Sequence, residues 1–213
     1  ELIDSNKKEL TLLVLLCFSL TTNAQSKENP MIEAVQKFAV SIEHADKFGA
    51  LPVQSSNGRM IPVNTFSSEI LRKLHKSDKI GSLNSDQFLL SFLAMPDMWM
   101  RVPLIAISNS ELTGFYNLTE GQSAYIEMFD SNGNYKLQEG VEGAYNKMPN
   151  ERSRFDKDLL KLDEQVNIMH QLINGQMLNL FPKEDDPNHT WYASGDDLSV
   201  FAGKDSMFVS RVM

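Results

Sequence analysis

A mostly helical α+β fold with one small β-hairpin or short sheet is what this 213-residue sequence predicts. Three observations carry that expectation. Apolar residues recur at helical intervals over residues 30–48, 64–76, 84–94 and 153–173. Between the first two of these stretches the period changes: Leu51 and Val53, then Met60, Ile61 and Val63, flank an Asn57-Gly58 turn. The composition, 42% apolar and 23% charged, is that of an ordinary globular chain without low-complexity tracts or a dividing linker.

At the N-terminus, Lys7 and Lys8 precede an apolar run from Leu10 to Leu20, broken only by Thr11 and Ser19. Thr22, Asn23, Ala24 and Gln25 then supply small or polar residues where a signal peptidase cuts. The run is short against the roughly 20 residues of a spanning helix, and it reads as a signal-like segment or a membrane-anchor helix. Cys17 follows Leu16, not a small residue, so a lipoprotein site is a poor reading. The expected organisation is a signal-like or anchor segment over 1–25 and one exported globular domain over 26–213. The chain begins with Glu1, and its ending "FVSRVM" reads as an element cut in mid-course, so a C-terminally truncated fragment is expected.

Asn29-Pro30 opens an amphipathic helix to Phe48, with Ile32, Val35, Phe38, Ala39 and Ile42 on one face. The hairpin follows, and Pro52 and Pro62, which lack N–H donors, confine its strands to an edge or to irregular extended structure. Asn64 or Thr65 caps the next helix, with Glu69 in its first turn and Arg72, Lys73, His75 and Lys76 in its last turns, complementing the helix dipole. Asn84 and Gln87 form a capping box ahead of Phe88, Leu89, Phe92 and Leu93, and Pro96 stops that helix. The nearly continuous apolar run from Val102 to Ile107 predicts a strand buried on both sides.

"FDSNGNYKL" alternates Asp130, Asn132 and Asn134, but a calcium loop needs Gly at its sixth position and Glu at its twelfth, whereas Gly133 is fourth from Asp130 and Val141 is twelfth. A glycine turn accounts for it better. From Ser153 to Ile173, Phe155, Leu159, Leu162, Val166, Met169 and Ile173 form one seam, ended by Asn174-Gly175. A seam of only a few turns favours packing within the domain over a partner helix.

The chemistry-bearing residues exclude more than they assign. A net charge of −8 with scattered basic residues argues against nucleic-acid partners. One cysteine rules out an intramolecular disulfide, a cysteine zinc cluster and a CxxCH haem-attachment site. No two of His44, His75, His170 and His189 lie at i, i+3 or i+4, and no nucleophile–base, P-loop or dinucleotide motif occurs, so no metal site or catalytic constellation is assigned. His44 reads as closing its helix before Gly49, and His170 as a satisfied or partly exposed side chain. Asp185-Asp186 and Asp196-Asp197 read as solvated loop carboxylates.

The stretch "EHADKFGALPVQSSNGRMIPVNTFSSEILRKLHK" carries His44, Ala45, Phe48 and Gly49, then Val53 and Gln54, then Gly58, Arg59, Pro62 and Thr65, in that order. In this it resembles the extracytoplasmic region of the System II cytochrome c biogenesis proteins, the ResB/CcsA-type cytochrome c synthetases. "FDSNGNYKL", "FDKDLLKLDEQVNIM", "LNLFP" and Trp191 extend the likeness over residues 40–200. The resemblance implies a periplasmic location at the bacterial inner membrane and a role in cytochrome c maturation, where the full-length proteins act as haem lyases. Haem is then implied through the full-length protein, with the membrane core and apocytochrome c as partners and scaffolding or partner binding as this region's role. His44 and Arg59 are the candidate haem or partner contacts; Phe48, Gly49, Gly58, Pro62 and Thr65 are pattern residues with a structural role. For Arg59 a structural ion pair within the domain is the plainer expectation. The family's tryptophan-rich WWD segment and multiple spans are missing, and Trp99 and Trp191 stand alone, so no catalytic residue carries over. The alternative is an independent exported binding domain without haem chemistry.

Overall fold

The computed structural model describes residues 29–183 and 186–196, and within them the α+β architecture is as expected. The signal-like segment and the final residues from 197 onward lie outside the described residues. No helix among the described residues is long and apolar enough to cross a membrane.

Helix α1 (Pro30–Gln36) starts as the sequence indicates, with the Asn29 side chain accepting the Met31 N–H at 2.9 Å and Pro30 in the first turn. The single helix expected to Phe48 is instead two. Ser41 opens α2 (Ile42–Gly49) by accepting the His44 N–H on its hydroxyl. The break frees the Val40 carbonyl, which accepts Gln87 Nε2 at 2.8 Å. Ile32 and Val35 are buried while Phe38 and Ile42 are exposed, so the apolar stripe does not run through.

Strands β1 (Pro52–Gln54) and β2 (Met60–Pro62) form the expected antiparallel hairpin, Val53 opposite Ile61. Its turn needs Gly58 at φ +80°. Of the two hairpin strands only β2 is an edge. On its other side β1 pairs with β7 (Asn179–Pro182), which pairs with β8 (Trp191–Ala193), giving the order β2-β1-β7-β8. Pro52 is tolerated because it is the first residue of β1, opposite Pro62.

Helix α3 (Val63–His75) starts without a break after β2. Its N-cap is Pro62, with no side-chain hydrogen bond, so Asn64 and Thr65 lie inside the first turn and Glu69 lies beyond it. The hairpin decides this start: the Val63 N–H donates to the Leu51 carbonyl at 2.9 Å, and the Asn64 amide is drawn to Asp86. At the other end Arg72, Lys73 and His75 meet the negative end of the helix dipole, and Lys76 closes it at φ +59°.

The short strands β3 (Lys79–Ile80) and β4 (Leu83–Asn84) lead into α4 (Ser85–Ala94), whose Asn84–Gln87 capping box is fully formed. Pro96 ends it and opens α5 (Pro96–Trp99). Strand β5 (Pro103–Ile107) pairs with β6 (Gly121–Ala124) across α6 (Ser110–Tyr116), and Leu104 and Ile105 are fully buried. A 3-10 turn over Tyr125–Met128 and α7 (Gln138–Tyr145) precede the long α8 (Arg154–Ile173). Leu159, Leu162, Val166, Met169 and Leu172 of α8 join the same core as α3, α4 and β5, so the seam packs within the domain. The core centres on Trp99, Phe88 and Phe92, with Trp99 edge-on to Phe88 at 4.9 Å.

The N-terminus of α8 carries a pH-dependent lock. Asp156 accepts the Ser153 N–H at 2.8 Å and both oxygens take the Lys147 ammonium, at 2.8 and 2.9 Å. These partners, Lys147 foremost, bring its pKa down to about 2. Because the folded pKa is depressed, the stabilisation is complete above the unfolded carboxylate value of about 3.9. It is lost as pH falls through about 2. An NMR titration should find the Asp156 carboxyl midpoint near 2, and Lys147→Met should move that midpoint upward; a midpoint near 4 in the native protein contradicts the lock.

Candidate functional site

Gly49, one of the pattern residues, lies in a corner where α2, α3 and α4 meet. Asp86, 2% exposed in the first turn of α4, accepts Asn64 Nδ2 at 2.9 Å and the Ser67 hydroxyl. The helix N-terminus also favours the negative charge. Gly49 sits against this carboxylate so closely that a Cβ there would lie 2.4 Å from Asp86 Oδ2 and 3.3 Å from Asn64 Cβ. Gly49 is therefore required by close approach, in a helix where its positive-φ freedom is not used.

A second lock holds the hairpin. Gln54, nearly buried, donates through Nε2 to the His189 carbonyl at 2.7 Å and accepts the Trp191 N–H on Oε1 at 2.9 Å. Its own carbonyl accepts Asn179 Nδ2. Asp186 organises the loop that Gln54 grips, accepting the Thr190 hydroxyl and the Asn188 and Thr190 N–H groups, which bring its pKa to about 2. Asp186 and the exposed Asp196, which accepts the Ala193 N–H, organise turns at the surface; Asp185 and Asp197 lie outside the described residues.

Beneath the hairpin runs a groove of about 180 Å³, walled by Ile61, Phe66, Ile70 and Met177 and rimmed by Glu69 and Lys73 among others. Arg59 stands on the exposed hairpin tip. Its backbone closes the turn, the N–H on Asn57 Oδ1 and the carbonyl on Ser55, but its guanidinium makes no ion pair among the described residues. The turn itself is held by backbone bonds and by Ser55 and Asn57.

His44 is likewise exposed, and it occupies the first turn of α2, not the turn that closes it. No hydrogen bond or ion pair among the described residues joins His44 to Arg59. Phe48 packs partly buried against the core, while Pro62 and Thr65 are exposed.

The other histidines are engaged. His75 is wedged with Nδ1 3.3 Å from the Leu104 carbonyl, and burial lowers its pKa, against the opposing pull of that carbonyl. His170 bridges the Tyr125 hydroxyl at 3.2 Å and Asn174 Nδ2 at 3.1 Å. Lys73 also borders a second groove, and this one and a smaller recess, both between α3 and α8, share Lys76, Lys161 and Gln165.

None of these three grooves is lined by a histidine. Among the described residues no three metal-binding side chains converge. No step is derived through haem.

Sequence reasoning passed over the Asp86 corner. As a first-turn acid, Asp86 has the signature of an ordinary solvated dipole partner, and only the convergence of three helices buries it. The basic end of α3 was legible, whereas its facing residue Lys161, far along the chain, was not.

No family model matches the chain. Protein NrfI of Wolinella succinogenes is 32% identical over 206 residues, an alignment that covers 94% of this chain and 23% of NrfI. The chain spans about a quarter of the length of that curated relative.

Proposed function

We propose that this chain is the extracytoplasmic domain of a cytochrome c maturation protein at the periplasmic face of the inner membrane. Its role is to scaffold the membrane core and meet partners, and haem is cargo of the longer protein. The observation that carries this reading is the 32% identity to NrfI over 94% of the chain, which takes in the ordered pattern from His44 to Thr65. The geometry supports a scaffold: the pattern residues Gly49 and Gln54 are spent on internal locks, and no catalytic group is assembled around them. Arg59 and His44, exposed and without ion-pair partners among the described residues, are the pattern residues left for contact.

The complete reading frame is the first test. Multiple spans and a WWD segment beyond these residues support the proposal; a frame without them overturns it and leaves an independent exported binding domain. In the full-length protein, Arg59→Glu should leave the melting transition within about 0.5 kcal/mol of the parent, as exposed substitutions do. The same variant should reduce haem-stained holo-cytochrome c. Unchanged holo-cytochrome removes Arg59 from the contact surface.

A further inference from the structure

In a chain of net charge −8, one groove runs against the trend. Arg72, Lys73 and Lys76 from the last turns of α3 face Lys161 of α8 across a groove of about 310 Å³ whose floor includes Ile168. A further recess of about 50 Å³, also lined by Lys76, Lys161 and Gln165 and by Asp158, whose carboxylate accepts Asn109 Nδ2, continues it to the end of β5 at Ala106 and Ile107. The two sides are fixed to each other: Gln165 of α8, 4% exposed, donates to the Lys73 and Leu74 carbonyls at 2.7 and 3.2 Å. It thereby satisfies carbonyls that a helix C-terminus leaves without intrahelical partners.

The cations are incompletely neutralised. Lys161 has no ion-pair partner among the described residues, and Lys76 reaches only the Ser108 hydroxyl. Arg72 pairs with Asp78 at 3.6 Å and Lys73 with Glu164 at 3.0 Å, but these pairs are largely exposed. Pairs of that kind contribute little to stability and exchange partners at little cost. Cations at a helix C-terminus are explained by the dipole, but Lys161 lies inside α8 and has no such reason to be there.

We propose that this trench docks an acidic segment of a partner polypeptide. Its carboxylates would meet Lys76 and Lys161 and take over Arg72 and Lys73, while its apolar atoms rest on the Ile168 floor. A narrow chain suits the site better than an anionic membrane, because the cations line a groove that runs on into a recess at Ala106 and Ile107, which a flat surface does not enter. Docking here requires neither haem nor the cytochrome role.

The test uses the full chain and a fluorescein-labelled polyglutamate peptide of about ten residues. Extended, it spans about 34 Å, comparable with the roughly 30 Å of α8. Fluorescence anisotropy at low salt should show binding that weakens as salt rises. Lys76→Glu/Lys161→Glu should weaken it by at least about tenfold. Lys37→Glu/Lys47→Glu, the same charge change at the end of α1 and on α2, should alter it by less than about twofold. Circular dichroism checks folding, and if the reversal misfolds, Lys76→Gln/Lys161→Gln provides the same comparison. No binding, or equal weakening by both pairs, overturns the proposal. So does binding of phosphatidylglycerol vesicles through Lys76 and Lys161 with none of the peptide.

Discussion

Gly49→Ala is expected to destabilise the domain by about 2–4 kcal/mol, although alanine is the better helix former by about 1 kcal/mol. The sign follows from what the methyl group meets. Asp86 Oδ2 would lie 2.4 Å away, and the carboxylate has no slack, since it is buried and held by Asn64 and Ser67. Moving it aside breaks hydrogen bonds to a charged group worth about 1.5–3 kcal/mol each, which outweighs the propensity gain. For a chain of this size the melting temperature should fall by about 5–15 °C. The decisive measurement is a double-mutant cycle. In an Asp86→Ala background the same substitution should be neutral or stabilising, and an equal loss in both backgrounds would refute the contact.

Trp99→Ala should be the costlier change, at about 3–5 kcal/mol, the range for removing a large aromatic side chain from a core. Trp99 is fully buried, with Phe88 edge-on at 4.9 Å and Phe92 stacked at 6.1 Å. Its indole N–H donates to Ser91 Oγ at 3.1 Å, but that hydroxyl keeps its own bond to the Phe88 carbonyl, so no buried donor is orphaned. The loss is therefore one of packing and cavity, and Trp99→Phe should recover part of it. Urea unfolding followed by circular dichroism should show a lower midpoint with an unchanged slope; a loss under about 1 kcal/mol would mean that the site collapses around the gap.

Together the two substitutions separate stability from function. Gly49 and Trp99 act on the joint of α2, α3 and α4 and on the core behind it. Arg59 and the α3–α8 trench lie on the surface. A variant that loses partner contact without losing stability belongs to the second group.

The sequence by itself determined the elements whose signals are local. The Asn29-Pro30 start, the Asn84–Gln87 box, the Asn57-Gly58 turn and the seam of α8 are encoded within a few residues of where they act, and each is present. It also carried, in the contiguous run from His44 to Thr65, the resemblance from which the proposed role starts.

Only the tertiary structure decided the rest. The helix expected over 30–48 is divided at Ser41 because Gln87, far along the chain, takes the Val40 carbonyl. The cap expected of Asn64 is lost because the hairpin runs straight into the helix, with the Val63 N–H on the Leu51 carbonyl, and so places Asn64 inside the first turn. Strand β1 is an inner strand because β7 returns to it more than a hundred residues later, as the Gln54–Asn179 pairing shows. Burial of Asp86 and the meeting of Lys76 with Lys161 have the same origin. Local hydrogen bonds and periodicity are written in neighbouring residues, whereas the competition for a donor, a carbonyl or a charge is settled only when distant segments pack together.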